Sequence, residues 1–99
     1  MAVVNVSTIT VADGRWEQFL EDSKKAHVIM EKYGAKNVRI LAEVAGSTPS
    51  GTVHSTFEAD NLAALGKILD SVYSDPDILA MMQSSAAASW TSSILAEVS

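Results

Sequence analysis

Apolar and polar residues alternate in four stretches of the chain, and a two-residue period of this kind predicts β-strands. The four stretches cover residues 2–11, 36–46, 51–60 and 90–98. The third stretch puts Val53 and Phe57 on one side of its strand and His54 on the other. Before the fourth stretch, the sequence SSAAAS at residues 84–89 fits either a loop or a helix tail.

Apolar residues recur at three- and four-residue steps between these strands, which predicts helices. The first helix follows Asp13, a candidate N-cap, and ends at Gly34, a residue suited to the C′ position. Asp60 and Asp75 are the candidate N-caps of two further helices, and Pro76 suits the first position of the last one.

The predicted elements follow the order β-α-β-β-α-β, with one short extra helix. The Gly, Ser and Pro residues at 46–51 are typical of a hairpin loop, so the second and third strands are expected to pair antiparallel. This order is that of the ferredoxin-like α+β fold, in which four antiparallel strands carry the helices on one face. The 99 residues show no internal repeat and are predicted to form a single domain over residues 1–99.

The second face of the predicted sheet carries few charges. A sheet face left to water normally holds Lys, Glu, Arg and Thr in quantity. Apart from Lys36 at a strand end, the charged residues of the strands are only Arg39, Glu43, Glu58 and Glu97. Both faces are therefore expected to be covered, and a two-fold copy of the same sheet is the simplest cover. We predict an obligate homodimer.

Composition and charge narrow the range of partners. The formal net charge is −5 and the seven Lys and Arg residues are scattered, which argues against binding to nucleic acid or to an anionic membrane. No apolar run is long enough to cross a bilayer, and the N-terminal residues lack the basic stretch of a signal peptide. A cytoplasmic location is the default expectation. The absence of cysteine excludes disulfides, thiolate metal sites and Cys nucleophiles.

Four stretches carry a resemblance to a known family, namely VADGRWEQFL after the first strand, YGAKNVRIL before the second, TFEADNLAAL after the third, and DPDILAMM in the last helix. Nearly the whole chain resembles the dimeric α/β-barrel superfamily, and most closely its antibiotic-biosynthesis-monooxygenase and NIPSNAP-like small proteins. The resemblance implies that two sheets close into one barrel, with a small-molecule pocket between sheet and helices in each subunit. It implies no single activity, because members include cofactor-independent oxygenases of aromatic polyketides, cyclases, lactone isomerases and haem-degrading enzymes.

The first strand departs from the haem-degrading branch of that superfamily. The branch uses an asparagine on this strand, and counting back from Gly14 its place is taken by Ser7 rather than Asn5. Phe57 stands where the branch tends to carry Trp. These departures argue against haem degradation. The sequence also lacks metal-binding His spacings and glycine-rich nucleotide motifs, so no metal or other cofactor is predicted.

Two histidines are the candidate catalytic acids or bases. His27 lies on the inward stripe of the first helix, with a spacing to Gly34 similar to that of the EthD-like branch. It is either a base for a phenol or an activated C–H, or a hydrogen-bonded histidine on a helix flank. His54 is either an acid or base inside a cavity, or a barrel-lining residue bonded across the dimer to a Thr or Glu, and we favour the second. If a pocket separates the sheet from the helices, His27 is the better candidate to line it.

A second set of residues is predicted to bind a substrate, namely Ser7, Tyr33, Arg39, Phe57 and Trp90. Arg39 either pairs with Glu43 or Glu58 or anchors an anion or enolate of the substrate, and the ion pair is favoured. The aromatic and Met side chains either line a cavity for an aromatic ligand or form core. They are Trp16, Tyr33, Phe57, Tyr73, Met81, Met82 and Trp90.

Three functions remain open at this point. The first is an enzyme, a monooxygenase, cyclase or isomerase that acts on an aromatic or polyketide-like molecule without metal or flavin, with His27 or His54 as base and Arg39 as anion stabiliser. The second is a non-catalytic dimeric module that binds a small apolar ligand or a protein. The third is a stress-related structural protein with a packed interior. A pocket lined by His and Arg favours the enzyme, and a filled interior favours the others.

Overall fold

The computed structural model describes residues 2–45, 51–84 and 86–96. Its elements are, in chain order, β1 (Val3–Val11), α1 (Trp16–Lys32), β2 (Lys36–Ala42), β3 (Thr52–Ala59), α2 (Leu62–Ser74), α3 (Pro76–Gln83) and β4 (Ala87–Ala96). The α+β class and the ferredoxin-like order predicted from the sequence are confirmed. Within the described ranges, no helix has the length and apolar character needed to cross a membrane.

The four strands form one antiparallel sheet in the order β2-β3-β1-β4. The β2–β3 pairing is antiparallel as predicted, whereas residues 46–50 of the expected hairpin loop lie outside the described residues. The register places Val3 opposite both Ala59 and Ala96, so the first strand lies between the third and the last. All three helices pack on one face of the sheet, which gives a two-layer molecule only 17 Å thick.

The buried apolar residues of the interface form two separate clusters. The larger cluster joins β1, β2 and β3 to α2 around Leu65, which is 1% exposed. The smaller one joins Val11 and Val53 to Phe19 of α1. Both clusters arise from the alternation of the strands, because every second residue of a strand faces the helices. The space between the clusters is where a ligand site becomes possible.

Two predicted helix boundaries are confirmed. Gly34 has a positive φ of 100°, and it ends α1 in a Schellman motif with N–H bonds from Gly34 to the Glu31 carbonyl and from Ala35 to the Met30 carbonyl. Asp75 caps α3, since its side chain accepts a hydrogen bond from the backbone N–H of Asp77.

Two other predicted caps are wrong. Asp13 does not cap α1, because the N–H of Arg15 bonds to the carbonyl of Ala12 in a turn that delays the helix, and Arg15 itself takes the N-cap position. Asp60 does not cap α2 either. Asn61 accepts the N–H bond there, while Asp60 pairs with a strand lysine across 2.7 Å.

The ends of two strands also differ from the prediction. β2 ends at Ala42 rather than at residue 46, and Val44, expected on a covered face, is 99% exposed. β4 begins at Ala87, three positions before the predicted start, so part of residues 84–89 is strand rather than loop or helix tail. In both cases, the residue at which the strand ends or begins is set by its pairing with a neighbouring strand. The local sequence pattern does not encode that pairing.

Candidate functional site

An open groove lies between the sheet and the helices and separates the two core clusters. It has two adjoining lobes with volumes of about 170 and 160 Å³. Six residues line both lobes, namely Ile9, Met30, Ser55, Ile78, Met82 and Trp90. A cavity of about 150 Å³ lined by apolar side chains is large enough to hold benzene, so each lobe has room for about one ring.

The two lobes differ in the elements that wall them. The first lobe is bounded by α1, α3 and the start of β4, through residues such as Phe19 and Ala86. The second is bounded by α2, by the first half of β1 and by β3, through residues such as Val72, Asn5 and Phe57. The groove thus runs along β1, from Asn5 to Ile9, a length of about 13 Å at the rise of an extended strand.

Polar side chains on the floor of the groove interrupt its apolar lining. Asn5, Ser7 and Ser55 occupy strand positions that face the helices, where their neighbours along the strands are core residues. The Ser7 hydroxyl lies 2.9 Å from the hydroxyl of Ser92 on β4. An apolar groove with a few polar groups that converge on one point is the usual form of a small-molecule site.

The charge of the groove is limited to one side chain among the described residues. No Lys, Arg or His lines either lobe, and Asp22 of α1 is the single carboxylate. Asp22 accepts hydrogen bonds from Gln18 at 2.9 Å and from Ser84 at 3.4 Å. The groove therefore offers no counter-charge to an anionic ligand.

Three of the predicted substrate-binding residues line the groove. Phe57 and Ser7 belong to the second lobe, and Trp90 faces both lobes. Of the other aromatic and Met candidates, Tyr73 lines the second lobe, Met81 the first and Met82 both, while Trp16 lies outside and stacks on Phe19.

His27, expected to line such a pocket, is not among the described residues of the groove. Its imidazole is 37% exposed and lies 3.3 Å from the Glu31 carboxylate one turn along α1. The neighbouring helix position, Ala26, faces the first lobe instead. This geometry corresponds to the helix-flank alternative of the sequence analysis.

His54 lies on the opposite face of the sheet, away from all three helices. Its Nδ1 is 3.2 Å from the Thr8 hydroxyl, and its Nε2 is 3.2 Å from the Glu43 carboxylate. A single neutral tautomer satisfies both contacts, with Nε2–H donating to Glu43 and Nδ1 accepting from Thr8. The expected Thr and Glu partners are thus found within the same chain, whereas bonds across a dimer were predicted.

Arg39 shares the outer face with His54 and so does not reach the groove. Its side chain is exposed, and no ion pair joins it to Glu43 or Glu58 in the part of the chain that the structure describes. Glu43 instead contacts His54, and Glu58 accepts a hydrogen bond from Asn37. Both carboxylates thus have other partners among the described residues.

Tyr33, also predicted to bind a substrate, holds α1 to the junction of α2 and α3. Its hydroxyl donates to the carboxylate of buried Asp75 at 2.8 Å. This hydrogen bond lowers the pKa of Asp75 below its ordinary value of 3.8, and it raises the pKa of Tyr33 above 10.0. Tyr33 thus has a structural partner and lies outside the lining of both lobes.

We expect Tyr33→Phe to lower the melting temperature at neutral pH, because the charged Asp75 loses its hydroxyl partner. A carboxyl whose pKa is lowered in the folded state contributes stability above its unfolded pKa and loses it as pH falls. The difference between wild type and variant should therefore shrink as pH falls below 3.8. Thermal melts from pH 7 to pH 2 measure this. Tyr73→Phe, which removes an exposed hydroxyl, is the matched control and should leave the melting temperature unchanged at every pH.

Asn5 and Ser55 lie on the floor of the groove, although neither was predicted to bind a ligand. Each could have been recognised as a polar residue at an inward strand position with an apolar inward neighbour, Val3 for Asn5 and Phe57 for Ser55. That recognition requires knowledge of which face the helices cover.

A separate depression lies between β4 and the start of α2. It has a volume of about 710 Å³ and is walled by Leu62, Ile94 and Leu95. Its polar side chain, Asn61, already caps α2. Asn61 is exposed and is the single polar residue among those that line this depression, whereas several polar side chains line the groove, which is therefore the better candidate site. Elsewhere in the described ranges, no group of three or more His, Cys, Asp or Glu side chains is placed to hold a metal ion.

Solved structures show the same fold. A NIPSNAP domain protein from Burkholderia xenovorans has 17% sequence identity and a TM-score of 0.77 over 98% of this chain and 95% of that chain. A NIPSNAP family protein from Agrobacterium tumefaciens has 15% identity and a TM-score of 0.78, covering 97% and 92% of the two chains. SnoaB, a cofactor-independent oxygenase from Streptomyces nogalater, has 13% identity and a TM-score of 0.74, covering 99% and 94%.

No protein-family model and no curated protein matches the sequence. The structural matches show that the chain has the NIPSNAP-like and antibiotic-biosynthesis-monooxygenase-like fold that the sequence resemblance indicated. At these identities the likeness establishes the fold, and an activity has to be argued from the groove.

Proposed function

We propose that this protein binds a neutral, largely apolar molecule of about two rings in the groove between the sheet and the helices. The observation that carries the proposal is the pair of adjoining lobes, each with room for about one ring and each lined mainly by apolar side chains. A continuous groove lined in this way lets both rings lose their hydration together, which is the main favourable term for such a ligand.

The charge of the site supports a neutral ligand. Asp22 would repel a carboxylate or phosphate placed in the first lobe, and the lining supplies no cation to offset this. Arg39, which the sequence suggested as an anion anchor, is on the other face of the sheet.

The enzymatic form of the proposal is cofactor-independent oxygenase, cyclase or isomerase chemistry on the bound ligand. The shared fold with SnoaB supports it. The histidines contribute no base within the groove, so acid–base chemistry there would fall to Asp22. Binding without turnover would leave the second candidate function, a non-catalytic ligand-binding module.

Filling the groove tests the proposal. Ser55 lines both lobes, so Ser55→Leu should occupy space that the ligand needs and weaken binding about tenfold or more. The probe is N-phenyl-1-naphthylamine, a neutral dye that fluoresces when it leaves water. Titration of the dye into each protein gives the dissociation constant.

The matched control for the dye titration is Ser74→Leu, the same substitution at an exposed position on α2 outside the groove. It should bind the dye as wild type does. Equal binding by wild type and Ser55→Leu would show that the dye does not use the groove, and would contradict the proposal.

We also propose that the outer face of the sheet packs against a second copy of the chain. This face includes Val4, Val6 and Leu41 and has few charged side chains, which is unusual for a face exposed to water. Leu41 is 41% exposed in the single chain. Packing against a two-fold related copy would cover this face.

A further inference from the structure

Asn5 is the most deeply buried polar residue on the floor of the groove. It is 5% exposed, lies near the start of β1 and lines the second lobe. Its side-chain amide has no hydrogen-bond partner among the described residues, yet its polar atoms are not sealed off from the groove. The amide therefore faces the space that a ligand would occupy, with both its donor and its acceptor unused.

The side-chain amide of Asn5 has no protein partner, so its hydrogen bonds have to come from whatever occupies the groove. Buried polar groups are nearly always hydrogen-bonded, and removing an amide from water without a partner is unfavourable. The apolar neighbours of Asn5, Val3 on the same strand and Phe57 on the facing strand, offer it no bond. A leucine of similar size would fit this environment better, so the choice of asparagine points to a role in binding.

We propose that Asn5 recognises a ligand that carries a hydrogen-bond donor and an acceptor side by side on one ring edge. This inference rests on the proposed function and deepens it by naming the chemical class of the ligand. The polar edge lies in the second lobe, where the amide N–H donates to a ring carbonyl and the amide oxygen accepts from a ring N–H or O–H. The apolar ring lies in the first lobe, against Ile9 and Phe19.

The groove offers further polar groups at the same end. Ser55 has a hydroxyl without a partner among the described residues, and the Ser7 hydroxyl is already bonded to Ser92. The Ser55 hydroxyl donates and accepts through one rotatable atom, whereas the planar amide of Asn5 presents its donor and its acceptor on two separate atoms, side by side. This pairing selects for a neutral ring with both functions and against a plain hydrocarbon.

Three bicyclic probes of similar size separate these contributions. The compound 2-quinolone has an N–H and a carbonyl on one edge, 1-methyl-2-quinolone keeps only the carbonyl, and naphthalene has neither. Each is measured by displacement of N-phenyl-1-naphthylamine from wild type and from Asn5→Leu. Wild type should bind 2-quinolone about tenfold more tightly than naphthalene, since each net hydrogen bond contributes modestly. Asn5→Leu should lose this preference and bind naphthalene at least as tightly as wild type does.

A second readout does not depend on any ligand. Because the neighbours of Asn5 in the core are apolar and its amide has no protein partner to lose, Asn5→Leu without ligand should melt at a temperature no lower than that of wild type. Asn5→Ala is a second variant, in case the larger leucine side chain disturbs the packing around residue 5. It should likewise lose the preference for 2-quinolone over naphthalene.

The outcomes separate the two proposals. If the dye binds and Ser55→Leu weakens it, but the variants at Asn5 change the affinity of all three probes equally or not at all, the role of Asn5 is overturned and the proposed function stands. Failure of wild type to prefer 2-quinolone over naphthalene has the same meaning. If Ser55→Leu leaves dye binding unchanged, the groove is not the site and both proposals fall.

Discussion

Leu41→Lys is expected to abolish the proposed dimer and to lower the melting temperature sharply. Leu41 lies on the outer face of the sheet, opposite His54 on β3. Packing of that face against a second copy would bury a lone ammonium group, which costs several kcal/mol when no partner neutralises it. Sedimentation velocity at micromolar concentration gives the mass of the assembly, and a thermal melt gives the stability.

Leu79→Lys is the matched control for this experiment. Leu79 is on α3 and is 43% exposed, close to the 41% of Leu41, so the two substitutions introduce the same charge at equal exposure. The control should keep the mass and the melting temperature of wild type. A folded wild-type monomer at micromolar concentration, or an unchanged Leu41→Lys protein, would show that the outer face is open to water.

Leu65→Ala should destabilise the fold by about 2–5 kcal/mol, the range for removing a buried leucine from a packed core. Leu65 is 1% exposed and is one of the two largest fully buried side chains. Its truncation leaves a cavity in the larger cluster, beside residues such as Ile68 and Val72 of the same helix. Since small domains have a total stability of about 5–15 kcal/mol, one substitution would remove a large part of it.

Urea denaturation measures this loss, with Leu62→Ala as the control on the same helix. Leu62 is 63% exposed, and alanine is at least as good a helix former as leucine, so the control should change the free energy of unfolding little. A loss for Leu62→Ala as large as that for Leu65→Ala would contradict the placement of these residues.

The features predicted correctly from the sequence are those set by local chemistry. Gly34 at the end of α1, and Asp75 with Pro76 at the start of α3, depend on backbone and capping groups a few residues apart. Asp60 does not cap α2 because the adjacent Asn61 is equally suited to that position, and Asp60 forms an ion pair with Lys36, which is distant in the sequence. A choice between adjacent residues depends on tertiary contacts.

The candidate site was predictable only in part, for a related reason. Alternation along β3 correctly put Phe57 and His54 on opposite faces, but it could not show which face the helices cover. Once that is known, Phe57 belongs to the groove and His54 to the outer face. The partner of Tyr33 was beyond reach because Asp75 lies on a different element, far along the chain.

The pairing of β1 with both β3 and β4 has a consequence for the rate of folding. β1 lies between β3 and β4, and Val3 at its start pairs with Ala96 at the end of β4. The second edge of β1 is therefore hydrogen-bonded only after β4 has joined the sheet. Contacts between such distant parts of a chain require large loops to close before any stabilisation is gained. During synthesis, the backbone groups on the β4 side of β1 would stay unpaired until β4 leaves the ribosome. We therefore expect slow refolding, limited by the docking of β4, and a partly formed sheet that is prone to aggregation in the interval.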